Sequence, residues 1–283
     1  MKILSFGEII WDVYPDKNCI GGAPLNFSAH VAKNGAKSFL LSCVGNDKLG
    51  EQAKKSLEKF GVKTDFVHIC DKMTGVCQVK LDDKGVPSYT IVDDVAYDYI
   101  PFDKKVCDQK FDVLCFGTLA LRGDNNKRVI EQILQTKNFD NVFCDLNLRY
   151  PFFDKQTVEF CLSNANIVKV SDNEADFVCS KVLGVEYTNP LNLAKSLVQA
   201  FKNLKMVLFS CGDKGAYLFD AKQDKLYFED AKKVDVVSTV GAGDCFGATF
   251  VTELLKGADL QSCIKRATEK SAYVVSKQDA IPD

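Results

Sequence analysis

Along most of this chain short apolar runs alternate with helical stretches, and that rhythm constrains the fold more than any other feature. Phe39–Gly45 reads as a buried strand, and Leu49–Phe60 as an amphipathic helix closed by Gly61. After residue 110 the rhythm resumes. Strands are expected at Phe111–Gly117, Val142–Leu146, Ile167–Ser171 and Met206–Cys211, with helices at Asp124–Gln135, Asp154–Ser163, Asn173–Val182 and Leu191–Phe201. A strand pair, Ala216–Phe219 and Lys225–Glu229, and a last helix, Leu260–Ser276, follow. Parallel neighbours need crossovers of helical length, so the expectation is an α/β fold, a parallel sheet wrapped by helices over residues 1–283 as one domain. One stretch breaks the rhythm. Gly75–Leu81 and Val86–Val92 alternate at period two around Asp82-Asp83-Lys84-Gly85, a hairpin signal. Insertions at approximately 12–20 and 74–100 are therefore read as a small β-sheet lid over the strand ends.

At the start, residues 3–11 read as one strand ending at Asp12, at the strand end where open α/β sheets bind ligands. A turn is expected over Asn18–Gly22. Ala23-Pro24 then opens a helix that runs to Gly35 and carries Asn26 on its first turns.

Near the other end, Val236-Val237-Ser238-Thr239-Val240 reads as an apolar strand entering Gly241-Ala242-Gly243-Asp244 and then a helix to Leu255. The first amides of such a helix lack partners and form an anion site, with glycine letting the backbone approach an oxyanion. Asp244 has two readings on local chemistry alone. It is either a base for an attacking hydroxyl or an acid complementing the helix dipole.

Two phosphate motifs are excluded. Gly45 to Gly50 continues into Glu51-Gln52 and lacks the Lys-Ser/Thr of a Walker loop, and the first strand offers only Gly7-Glu8, with no dinucleotide fingerprint. A formal net charge of -2 without a basic cluster argues against nucleic-acid or membrane binding. Trp11 and Asp12 interrupt the only apolar run near the N-terminus, so no signal peptide is read there. Twelve scattered cysteines without Cys-x-x-Cys suggest buried free thiols in a reducing cytoplasm, not a disulfide or zinc framework. His30 and His68 are read as structural.

Three motifs in order resemble those of the ribokinase-like carbohydrate kinases, the PfkB family, with fructokinase the nearest branch. These are Gly21-Gly22-Ala23-Pro24-Leu25-Asn26, Val44-Gly45-Asn46-Asp47-Lys48-Leu49-Gly50 and Ser238-Thr239-Val240-Gly241-Ala242-Gly243-Asp244. Asp145-x-Asn147-x-Arg149 and Ala96-Tyr97-Asp98-Tyr99-Ile100 are similar to fructokinase patterns as well. The resemblance implies a three-layer α/β/α core with a mostly parallel sheet and a β lid, and ATP-dependent phosphorylation of a sugar, D-fructose to fructose 6-phosphate first. Asp244 would be the catalytic base, with the amides of Gly241, Ala242 and Gly243 as anion hole. Asp12, Gly22, Asn26 and Arg149 would contact substrate. Lys169, Ser210, Gly212 and Gly215 would meet ATP. Glu174 would organise Mg2+ through water, with K+ a further candidate, and the lid would make a homodimer, motivated by Tyr89, Tyr97 and Tyr99. Alternatives are 2-keto-3-deoxygluconate kinase, a ribokinase or nucleoside kinase, and a non-catalytic nucleotide or sugar sensor. The chain departs from the family pattern at Ser238, usually Asp, at Ser171, which replaces an asparagine of other branches, and at Gln278–Pro282, where Gly-Ala is usual.

Overall fold

The computed structural model describes residues 1–14, 16–81 and 87–283, and the expected hairpin connection at 82–85 lies outside them. In chain order the elements begin with β1 (Lys2–Phe6), β2 (Ile10–Val13), β3 (Asn18–Gly21), α1 (Ala23–Lys33), β4 (Lys37–Gly45) and α2 (Lys48–Lys59). Next come β5 (Val62–Lys63), β6 (Val67–Cys70), β7 (Gly75–Leu81), β8 (Pro87–Ile91), α3 (Lys104–Cys107), β9 (Phe111–Gly117) and α4 (Asp124–Gln135). They are followed by β10 (Phe139–Asp145), α5 (Lys155–Asn164), β11 (Ile167–Ser171), α6 (Asp172–Phe177) and α7 (Pro190–Ala200). The chain closes with β12 (Met206–Ser210), β13 (Ala216–Asp220), β14 (Lys225–Glu229), α8 (Ala242–Leu255) and α9 (Leu260–Val275).

Ten strands form the main sheet in the order β14-β13-β12-β11-β10-β9-β1-β4-β5, with β6 also on β4. From β12 to β5 every pairing is parallel, whereas β13 and β14 return antiparallel at the edge. Successive side chains of a strand point to opposite faces. Leu114 and Phe116 of β9 therefore join a core with α4, α5 and α7, while Val113 and Cys115 join one with α1, α8 and α9. This is the α/β/α sandwich expected. Helix α8 sits tightly on the sheet at Gly247, where a Cβ would lie 3.0 Å from the Phe143 ring. Phe143 stacks on Phe27 of α1 at 5.5 Å, so α1, α8 and β10 are fixed together. Truncating a ring so packed costs about 3–5 kcal/mol.

A second, mixed sheet has the order β3-β2-β7-β8. Ile10 and Cys77 on one of its faces pack with Tyr97, which follows β8, and with Leu119 and Phe152, which follow β9 and β10 of the main sheet, so the small sheet stands over those strand ends.

Several expectations need correction. The strand over 3–11 is two strands: β1 stops at Phe6, the chain passes through Gly7-Glu8-Ile9, and β2 already belongs to the small sheet. Asp12 therefore lies within a strand of the small sheet, paired with Cys19 and Cys77, and not at a main-sheet strand end. Residues 18–21 are a strand, not a turn. No strand forms over 236–240: Val236, Val237 and Val240 are exposed, and the amides of Val237 and Ser238 donate to Val275 O at 3.0 and 3.2 Å. Tyr97, expected on an exposed lid face, is fully buried, whereas Tyr99 is exposed as expected and donates to Asp94. The helix expected over 173–182 is a short α6 that widens into a π turn at Val178–Leu183. All twelve cysteines are free thiols, nine of them buried. His68 lies 3.2 Å from Asp103, and no helix among the described residues is long and apolar enough to cross a membrane.

Candidate active site

Parallel register brings Gly117, Asp145 and Lys169 side by side at the carboxyl ends of β9, β10 and β11. Lys169 and Asp145 are both buried, and the ammonium donates to the two carboxylate oxygens at 2.9 and 2.8 Å. Burial opposes the Lys169 charge, but Asp145, Glu174 and Asp244 outweigh it and its pKa is raised. The same ammonium reaches the start of α8, where a Cβ on Gly243 would lie only 3.2 Å from Nζ. Glycine here keeps the cation and the helix start in contact.

The N-cap of α8 is Gly241, with φ 78°, a left-handed conformation that a Cβ would strain. Of the expected anion-hole amides, those of Gly241 and Gly243 have no protein acceptor among the described residues, whereas Ala242 donates to Thr239 O at 3.3 Å. Asp244 sits in the first turn, half-buried, and accepts from Asn26 Nδ2 at 2.8 Å. Burial first, and then the charge of Asp145, push its carboxyl up to about 6, while Asn26, Lys169 and Arg149 act the other way. Such a group is ionised at neutral pH yet basic enough to take a proton. Asn26 Oδ1 is buried without a partner among the described residues, an acceptor suited to a ligand hydroxyl.

Glu8, absent from the expected site, lines the same cleft with Asp145, Asn147 and Asp244. In the sequence it sits inside the stretch read as one strand over 3–11. Burial pushes it up to about 7, with Asp244 adding to the effect, although it accepts from Ala23 N at 3.2 Å. Gly22 packs on the same residue, since a Cβ there would lie 2.6 Å from Glu8 O.

Asp12 lies in the small sheet opposite Cys77, its carboxyl raised by burial and restrained by Cys77 and Arg149. Arg149 is exposed and makes no ion pair among the described residues. Asp154 instead caps α5 by accepting from Thr157 N at 2.7 Å, and Glu159 meets Lys155 at 3.5 Å. The charge of Arg149 partly offsets the burial that raises Glu8, Asp12 and Asp244. Glu174 is buried and uses one oxygen for Leu148 N and the other for Ser171 N, both at 2.7 Å. Ser210 ends β12 opposite Ser171, and Gly212 and Gly215 flank the turn that follows, one strand beyond Lys169.

A helix start with free amides among the described residues, a buried lysine and a carboxyl raised by burial have the chemistry that phosphoryl transfer to an alcohol needs. The chain belongs to the pfkB family of carbohydrate kinases, whose pattern it matches over residues 6–283. It is similar to the uncharacterized sugar kinase PH1459 of Pyrococcus horikoshii, at 31% identity over 277 residues covering 92% of this chain and 82% of the relative. A fructokinase of Vibrio alginolyticus is 27% identical over 89% of this chain and 84% of its own. Among solved structures, the P. horikoshii kinase in complex with ATP superposes with a TM-score of 0.82 at 25% identity, covering 99% of this chain and 94% of that one.

Proposed function

We propose that this chain transfers the γ-phosphoryl group of ATP to the primary hydroxyl of a sugar, D-fructose first, giving fructose 6-phosphate and ADP. The observation that carries the reading is Asp244, held by Asn26 at 2.8 Å beside the free amides of Gly241 and Gly243. Asp244 accepts the hydroxyl proton as the sugar oxygen bonds to phosphorus and the bond to the ADP oxygen breaks. The amides of Gly241 and Gly243, joined by Ala242 once it releases Thr239, hold charge on the phosphoryl oxygens. Lys169 adds a fixed cation at the same point. Asp12, Asn26 and the Gly22 turn bind sugar hydroxyls from opposite sides of the cleft. Ser210, Gly212 and Gly215 line the nucleotide side.

Mg2+ fits this site only as an ion carried mainly by phosphate and water. No group of three His, Cys, Asp or Glu among the described residues could cage a metal, and both Glu174 oxygens already serve backbone amides. Glu174 would meet its hydration shell through remaining lone pairs, the mode such a reluctantly dehydrated cation prefers. When bound, the ion neutralises phosphate charge.

The fructokinase likeness supports fructose. Arg149, exposed and unpaired among the described residues, favours a second reading in which the acceptor is a sugar acid such as 2-keto-3-deoxygluconate. Sugar-dependent ADP release across fructose, ribose, 2-keto-3-deoxygluconate and adenosine tests both. Fructose turnover at least tenfold above the others supports the first, and silence with every acceptor despite ATP binding would make the chain a sensor. The whole chain is read as one catalytic unit whose small sheet is the lid. Free thiols throughout suit a cytoplasmic enzyme. Homodimerisation through the lid rests on exposed Tyr89 and Tyr99, since Tyr97 is buried, and a monomeric mass by light scattering would remove it.

A further inference from the structure

Helix α1 does more than present Asn26. One turn later on the same face His30 is buried, and its Nε2 lies 2.9 Å from Ala280 O. A carbonyl only accepts, so the ring nitrogen here carries the hydrogen. Burial lowers the pKa of His30 to about 4, which keeps the imidazole neutral in this single-donor form at neutral pH.

Ala280 in turn lies against the phosphoryl-binding turn. A Cβ placed on Gly241 would be 2.6 Å from Ala280 Cβ and 2.8 Å from Ala280 O. The next residue, Ile281, is buried with Ile9, Trp11 and Leu25 at the root of the lid. Lys33, also on α1, donates to Pro282 O, and Tyr273 of α9 donates to Asp283 O at 3.0 Å. The C-terminal segment thus runs from the lid root to the anion-binding turn, and α1 grips it at His30 and Lys33. This is the segment that departs from the family's usual Gly-Ala.

We propose that His30 is a positioning residue for phosphoryl transfer: by holding Ala280 O it keeps the C-terminal segment seated on Gly241 and so fixes the amides of the α8 start. The proposal rests on the assignment of that turn as the anion hole. One helix then sets both halves of the reaction geometry, through Asn26 for the proton acceptor and through His30 for the amides. Leucine at position 30 keeps the apolar volume and removes the donor; glutamine returns an N–H at similar reach.

The test compares His30→Leu, His30→Gln and Asp244→Asn with the unaltered enzyme, in steady-state ADP release at a temperature where circular dichroism shows each folded. His30→Leu should lower turnover by about 3- to 10-fold, the scale of one neutral hydrogen bond, with sugar KM within about twofold of normal. His30→Gln should recover to within about twofold of the unaltered enzyme. If His30→Leu does not fold, His30→Met, an adaptable apolar side chain that also lacks a donor, is read in its place with the same expectation. Normal turnover in the donor-less variant overturns the proposal, as does a glutamine variant no better than leucine. A normal His30→Leu beside an inactive Asp244→Asn sinks the positioning role alone, whereas a fully active Asp244→Asn sinks the site assignment beneath it.

Discussion

Replacing Asp244 by Asn should disable the enzyme and make it more stable. The carboxyl is pushed from 3.8 to about 6, chiefly by burial, so ionising it in the folded protein costs up to ~3 kcal/mol at 1.36 kcal/mol per pH unit. Its opening to the cleft tempers this, and about 1–3 kcal/mol is the expected range. The folded pKa lies above the unfolded one. The group's contribution to stability is therefore full below about 3.8 and lost as pH rises through about 6, leaving a charged, strained site at pH 8. An amide of the same shape removes the charge and still offers an oxygen to Asn26. Urea unfolding at pH 8 should show a gain of about 1–3 kcal/mol for Asp244→Asn, shrinking to about 0.5 kcal/mol by pH 4. Sugar-dependent ADP release should fall by about 10²-fold or more, with ATP affinity nearly unchanged, as loss of a positioned base implies. Turnover within threefold of normal, or a loss of stability at pH 8, would refute the reasoning.

Other consequences are open to direct test. The acidic limb of kcat/KM should rise through about pH 6, where Asp244 ionises, with Glu8 at about 7 titrating in the same window; Asn26→Leu, which removes a bond that restrains Asp244, should move the limb to higher pH and raise sugar KM. Lys169→Met strands Asp145 in a buried position and should cost about 3–5 kcal/mol in denaturant unfolding as well as most of the activity; a loss under 1 kcal/mol would mean that Asp145 finds another partner. Arg149→Gln should leave fructose turnover within about threefold but, if the acceptor is a sugar acid, raise its KM by about tenfold or more, as loss of a charge-assisted contact predicts.

Where side chains pack on both faces of a strand, sequence was a good guide. Phe111–Gly117 and Ile167–Ser171 were legible as strands, and Asp124–Gln135 as a helix, because burial on fixed faces imposes a period. The glycine turn that opens α8 was legible from its residue types, whereas Asn26 was given a role only by the family resemblance. The small-sheet strand holding Asp12 was not legible. Residues 3–11 alternate between apolar and small or polar residues without a clear stop, and the crossing at Gly7-Glu8-Ile9 depends on β1 pairing with β4 and β9 while β2 pairs with β3 and β7. The valines of 236–240 misled for the opposite reason. Their composition suits a strand, but two of the segment's amides are taken by the end of α9, which leaves an extended, exposed approach to Gly241. Glu8 was overlooked because its importance is tertiary, arising from the return of α1 and α8 over the end of β1.

The account turns on Asp244 meeting the acceptor alcohol beside the bound phosphate. A crystal structure of the protein with fructose and a non-hydrolysable ATP analogue measures that arrangement directly. It should place the sugar's primary hydroxyl about 2.6–3.2 Å from an Asp244 oxygen, with the terminal phosphate on the Gly241 and Gly243 amides. A primary hydroxyl turned away from Asp244, or a terminal phosphate seated off that turn, would contradict it.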